Sequence, residues 1–113
     1  MTGPSKELQT MKAEFFVALA HPLRIRLLEV LSERGEQSVQ ALHTRLGVEQ
    51  PIVSQQLAKL RAHGVVISRK EGTTVFYALA NPRIGDLLKV AKEILSRRLT
   101  GSKTLLHELR RLG

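Results

Sequence analysis

The sequence predicts a mainly α-helical domain that carries one small β-hairpin, and three observations support that class. Apolar positions recur at helical spacing over most of the chain, the spacing that gives a helix one buried face. The stretch 65–79 breaks that period and turns to β-branched and aromatic residues around a glycine. The apolar fraction of 42% includes only 4% aromatic residues and no tryptophan, so the core must be built of Leu, Val, Ile and Ala, which suits packed helices. A chain of 113 residues is long enough for one modest core, so residues 1–113 are expected to be a single domain.

Residues 1–5, with Gly3, Pro4 and Ser5, are expected to be a flexible start. Leu8, Met11, Phe15, Phe16 and Leu19 then mark a first helix, which should stop at His21-Pro22 because a proline disfavours helical dihedrals in the residue before it. Pro22 suits the first turn of a second helix carrying Leu23, Leu27, Leu28 and Leu31, with His21 as its cap and Gly35 as its stop. Ser38 can cap a short third helix with Val39, Leu42 and Leu46, closed by Gly47. After a tight turn, Pro51 opens a fourth helix in which Val53, Leu57 and Leu60 form an apolar stripe up to Gly64.

The segments VVISRK and TTVFYAL read as two strands joined at Glu71-Gly72. Asn81-Pro82 ends the hairpin and begins a last helical region, which runs to Leu112 as one helix or as two divided at Gly101-Ser102. The expected order is α-α-α-α-β-β-α. Residues 38–64 form a helix-turn-helix, residues 65–80 a wing, and residues 82–112 a C-terminal dimerisation region.

The composition narrows function. Eighteen Lys and Arg against ten Asp and Glu give a formal charge of +8, which favours a polyanionic partner. No apolar run approaches the ~18 residues needed to span a bilayer, and the N-terminus lacks the apolar core of a secretion signal, so a cytoplasmic protein is expected. There is no cysteine, which removes disulfides, thiolate metal sites and thiol chemistry together. The four histidines, at 21, 43, 63 and 107, do not stand three or four residues apart on a helix, so no local metal pair exists. With no Gly-rich phosphate loop, no serine-nucleophile motif and no clustered carboxylates, the sequence is not expected to encode an enzyme, and no cofactor is implied.

The fourth helix carries the chemistry. At ~100° per residue, the side opposite Val53, Leu57 and Leu60 holds Pro51, Ser54, Gln55, Ala58, Lys59 and Ala62. Gln can bond an adenine edge through two hydrogen bonds, Ser can bond several bases, and alanines permit close approach. Gln50, Ser54 and Gln55 are therefore the expected base readers of duplex DNA. Lys59 and Arg61 are expected on the phosphate backbone, joined there by Arg69, Lys70, Thr73 and Thr74 of the wing. Gln56, at the flank of the buried stripe, is compatible with either side.

The first and last helices have more apolar surface than one small chain can bury, so a second copy is the expected partner. The expected interface residues are Leu8, Met11, Phe15 and Leu19 in the first helix. In the last helix they are Ile84, Leu87, Leu88, Ala91, Ile94 and Leu95.

Three segments together resemble the ArsR/SmtB family of winged-helix repressors: Ala18 to Leu28, Gly47 to Val66 and Arg69 to Leu79, within a similarity covering about residues 12 to 98. The resemblance implies a homodimer joined by its first and last helices and repressing an operon. It does not carry over the family's metal sites, since Ser38 to Leu46 has no cysteine and Asp86 is followed by Leu87 and Leu88 rather than histidine. Glu49 stands where the family usually has a Ser or Thr cap. The expected function is a sequence-specific regulator, a repressor on an inverted-repeat operator. The alternatives are a winged-helix protein-interaction module and a non-specific architectural DNA binder. The input is open among a small organic effector, a partner protein and the protein's own concentration.

Overall fold

In the computed structural model the described residues are 4–99 and 103–112. The chain runs α1 (Pro4–Leu19), α2 (Pro22–Arg34), β1 (Gln37–Ser38), α3 (Val39–Leu46), α4 (Gln50–Ala62), β2 (Val66–Glu71), β3 (Thr74–Leu79), α5 (Arg83–Arg98) and α6 (Lys103–Leu112). This is a mainly helical winged helix-turn-helix.

Local chemistry sets the boundaries. The His21 Nδ1 accepts the Leu23 N–H at 3.1 Å, so the cap expected from the sequence forms, with Pro22 pre-set for the first turn. Ser38 Oγ accepts the Ala41 N–H at 3.0 Å and starts α3. Gly47 ends α3 with φ 65°, a left-handed conformation that glycine adopts without a side-chain clash. Glu49 makes no side-chain cap bond, so α4 opens on its backbone alone, its carbonyl accepting from Ile52 and Val53 at 3.1 Å. The turn between α3 and α4 is tied by His43, whose Nδ1 donates to the Val48 carbonyl at 3.1 Å.

The core lies where α2, α3, α4 and the hairpin meet. Leu27, Leu28, Leu42, Val53, Leu57 and Leu60 are fully buried there, and each large side chain so buried favours folding by ~1.5–3 kcal/mol. Val65, Val66 and Tyr77 seal it from the hairpin side.

Three expectations change and one open alternative is decided. Helix α1 already includes Pro4 and Ser5, since a proline is tolerated in a first helical turn; the rest of the expected flexible start lies outside the described residues. A third strand, β1, is added beside β3, giving the antiparallel order β1-β3-β2. The hairpin turn falls one residue later than expected, at Gly72-Thr73, because Glu71 pairs with Thr74; Gly72 takes φ 63° there. The C-terminal region is two helices, α5 and α6, and the suspected break at Gly101-Ser102 lies outside the described residues.

The molecule is a slab. Its extents are 46 × 46 × 21 Å and its radius of gyration 15.8 Å, against ~13 Å for a compact domain of this length. The breadth comes with uncovered apolar surface on α1 and α5. Leu8, Met11 and Phe16 on α1, and Val90, Ile94 and Leu95 on α5, are all exposed, Met11 by 64% and Ile94 by 57%.

Candidate nucleic-acid interface

Helix α4 turns its buried stripe, Val53, Gln56, Leu57 and Leu60, into the core, and its other faces are left to solvent. Gln50, Gln55, Lys59 and Arg61 are exposed and Ser54 is half-buried. Helical geometry divides them into two flanks. Gln50, Ser54 and Arg61 share one azimuth, while Gln55 and Lys59, four residues apart, lie round the other side with the exposed Ile52.

The first flank faces the wing. Gln50 and Ser54 line an open cleft of about 360 Å³ together with Gln40 from the start of α3 and Thr73, Thr74 and Val75 from the wing. The fold thus gathers two expected base readers and both wing threonines on one surface. Gln55 and Lys59 stand outside that cleft, on the open side of the reading helix.

The two faces of the wing differ. Register places Val66, Ser68, Lys70, Val75, Tyr77 and Leu79 on one face, which is the face that closes the core and reaches the cleft through Val75. Lys70 therefore emerges, exposed, on the cleft side. Arg69 and Phe76 belong to the outer face.

Arg69 does not stand as the free backbone cation expected from the sequence. Its Nε donates to both carboxylate oxygens of Glu36 at 3.0 and 2.9 Å, one terminal nitrogen bonds Glu36 at 2.7 Å and the other bonds Glu71 at 2.7 Å. The guanidinium also lies 4.4 Å from the centre of the Phe76 ring. The Arg69 hydrogen bond holds the Glu36 carboxyl below the usual carboxylate range, and the two acids push Arg69 further up in turn.

Gln56 is settled as structural. It is 7% exposed and its Oε1 accepts from Arg24 Nε at 2.8 Å, while Arg24 also donates to the Ala18 carbonyl at 3.0 Å. Sequence periodicity placed Gln56 at the stripe's edge; the partner on α2 decides its role.

Of the expected interface residues, Leu19 and Ile84 are corrected. They are 6% and 7% exposed and lie in the protomer's own core, where they seat α1 and α5 rather than offer contact surface. Phe15, Leu87 and Leu88 are half-buried against that core. Leu8, Met11, Ala91, Ile94 and Leu95 are exposed, as a contact surface requires, and Phe16, Val17 and Val90 join them.

A larger groove, of about 560 Å³, lies between α2, α5 and α6, away from α4. Its acids, Glu29, Glu33 and Glu93, are matched by Lys89, Lys92 and Arg111, so it favours neither sign of ligand. Burial there pushes the Glu29 carboxyl up. Among the described residues no three His, Asp or Glu side chains gather to hold a metal ion, and no helix is long and apolar enough to cross a membrane.

A helix-turn-helix with an exposed reading helix, flanked by a hairpin wing on a basic chain, defines a DNA-binding transcriptional regulator. The family model for bacterial regulatory proteins of the arsR family matches residues 21–68. The uncharacterized HTH-type transcriptional regulator Rv0081 of Mycobacterium tuberculosis is 44% identical over 109 residues, covering 96% of each chain. Its crystal structure superposes with a TM-score of 0.72 and 46% identity, over 88% of this chain and 97% of that one. The homodimeric winged helix-turn-helix domain of Mb0332 from Mycobacterium bovis, solved by NMR, gives a TM-score of 0.76 at 27% identity, over 88% and 91%. The biofilm growth-associated repressor of Agrobacterium fabrum is 42% identical over 71 residues, 63% of this chain and 60% of its own length. The chain belongs to the ArsR family and is a winged-helix transcriptional regulator.

Proposed function

We propose that this protein is a cytoplasmic repressor that binds an inverted-repeat operator as a homodimer. The observation that carries this reading is the cleft joining Gln50 and Ser54 of α4 to Thr73 and Thr74 of the wing, beside an exposed Gln55. Gln50, Ser54 and Gln55 read base edges in the major groove, and Lys59, Arg61, Lys70, Thr73 and Thr74 hold the phosphate backbone. The dimer forms through α1 and α5, using Leu8, Met11, Phe16, Val90, Ile94 and Leu95, which are otherwise left in water. A two-fold axis through that contact sets two reading helices about one DNA turn apart, ~34 Å, so the operator is an imperfect palindrome. The relatives named a repressor and a homodimeric domain support this reading.

The test is a pair of variants on a duplex selected by the wild-type protein from a random pool. Gln55→Ala should cost ~1–3 kcal/mol per half-site on the selected duplex and relax preference at one position of each half-site, whereas Lys59→Ala should weaken all sequences alike. Equal losses on selected and random DNA for both variants would remove the assigned roles. Binding that does not weaken with added salt would instead favour a protein-interaction module, because releasing phosphate counterions makes duplex binding steeply salt-dependent.

A further inference from the structure

We propose that Arg69 is a positioning residue, a strap that fixes the angle of the wing, and that Lys70 alone is the wing's phosphate-contacting cation; this rests on the DNA-binding reading above. Arg69 leaves β2, passes over Phe76 of β3 and reaches Glu36, which immediately precedes β1. It thereby spans the whole sheet and ties the hairpin to the segment that leads, through Ser38, into the cap of α3.

Two features separate this interaction from an ordinary surface ion pair, which contributes little. All three guanidinium nitrogens are engaged, two of them on the same carboxylate, and one face of the group is covered by an aromatic ring. The local charge is also of the wrong sign for DNA. One cation between Glu36 and Glu71 leaves a net negative cluster, which repels a phosphate. Lys70, one residue on, has no ion-pair partner among the described residues and emerges on the opposite face, toward the cleft shared by Gln50, Ser54, Thr73 and Thr74.

The strap and a phosphate contact make opposite demands on Glu36. If Arg69 positions the wing, Glu36→Gln loosens the wing and weakens binding. If Arg69 contacts phosphate, Glu36→Gln frees the cation and tightens binding.

The experiment measures binding of the wild-type-selected duplex by fluorescence anisotropy at several salt concentrations, with a hydroxyl-radical footprint and a melting curve for each variant. Arg69→Met and Glu36→Gln should each weaken binding several-fold with an unchanged slope of log K against log salt. Their footprints should lose the flanking wing protection and keep the major-groove protection. Lys70→Met should reduce that slope by ~1.8, ~0.9 for the one phosphate interaction lost from each protomer of the dimer. Tighter binding by Glu36→Gln, or a slope reduced by Arg69→Met, overturns the strap. So does uniform fading of the whole footprint together with a lower melting temperature, which would mean that Arg69 only stabilises the fold. A wild-type protein that selects no duplex at all overturns the DNA-binding reading, and the strap with it.

Discussion

Arg24 Nε donates to Gln56 Oε1 at 2.8 Å, linking α2 to the buried side of the reading helix. The same guanidinium holds the last turn of α1 through the Ala18 carbonyl. One side chain therefore sets α4 relative to two helices. Gln56→Ala is expected to cost ~1–3 kcal/mol of stability, because it leaves a part-buried charged donor without its acceptor. Base preference should not change, since Gln56 does not reach the groove. Chemical denaturation checks the first statement and selection from a random duplex pool the second; a changed consensus with unchanged stability would return Gln56 to the reading surface.

The wing should report its anchoring through acid titration. Glu36 ionises below its ordinary range near 4.5 because Arg69 hydrogen-bonds its charged form. A group depressed in this way stabilises fully above its unfolded pKa and loses that contribution as pH falls through the lower folded value. The Glu36 carboxyl, followed by NMR, is thus expected to titrate below its ordinary range and to return there in Arg69→Met. An ordinary midpoint in the wild type would show that the ion pair is not formed in solution.

The uncovered face of α5 should govern association. Ile94 is 57% exposed and lies among Val90 and Leu95, so Ile94→Glu leaves the protomer's core untouched while placing a charge where the second copy would sit. Sedimentation should find the wild type dimeric and Ile94→Glu monomeric, with the helical circular dichroism retained. A variant that remains dimeric would move the interface elsewhere.

Much of this was legible from residue order because it rests on local chemistry. The Ser38 and His21 caps, the glycine stop of α3 and the stripe of α4 each depend on residues within a few positions of one another. What was not legible depends on distant pairs. Strand β1 has two residues, too few to show a period, and exists only because β3 runs beside it. The roles of Arg69 and Gln56 were set by Glu36 and Arg24, 33 and 32 positions away in sequence. Leu19 and Ile84 carried the same apolar signal as Met11 and Ile94, and only packing separates a core residue from an uncovered one. The split of the C-terminal region into α5 and α6 left no unambiguous signal beyond a Gly-Ser pair.

Two copies of α4 reading a palindrome is the claim on which the rest depends. A nucleotide-resolution footprint on the duplex selected by the wild-type protein tests it most directly. Two equivalent protected patches are expected in successive major grooves, ~10 base pairs apart and related by a dyad, both weakened by Gln55→Ala. A single patch, or even protection along the whole duplex, would contradict it.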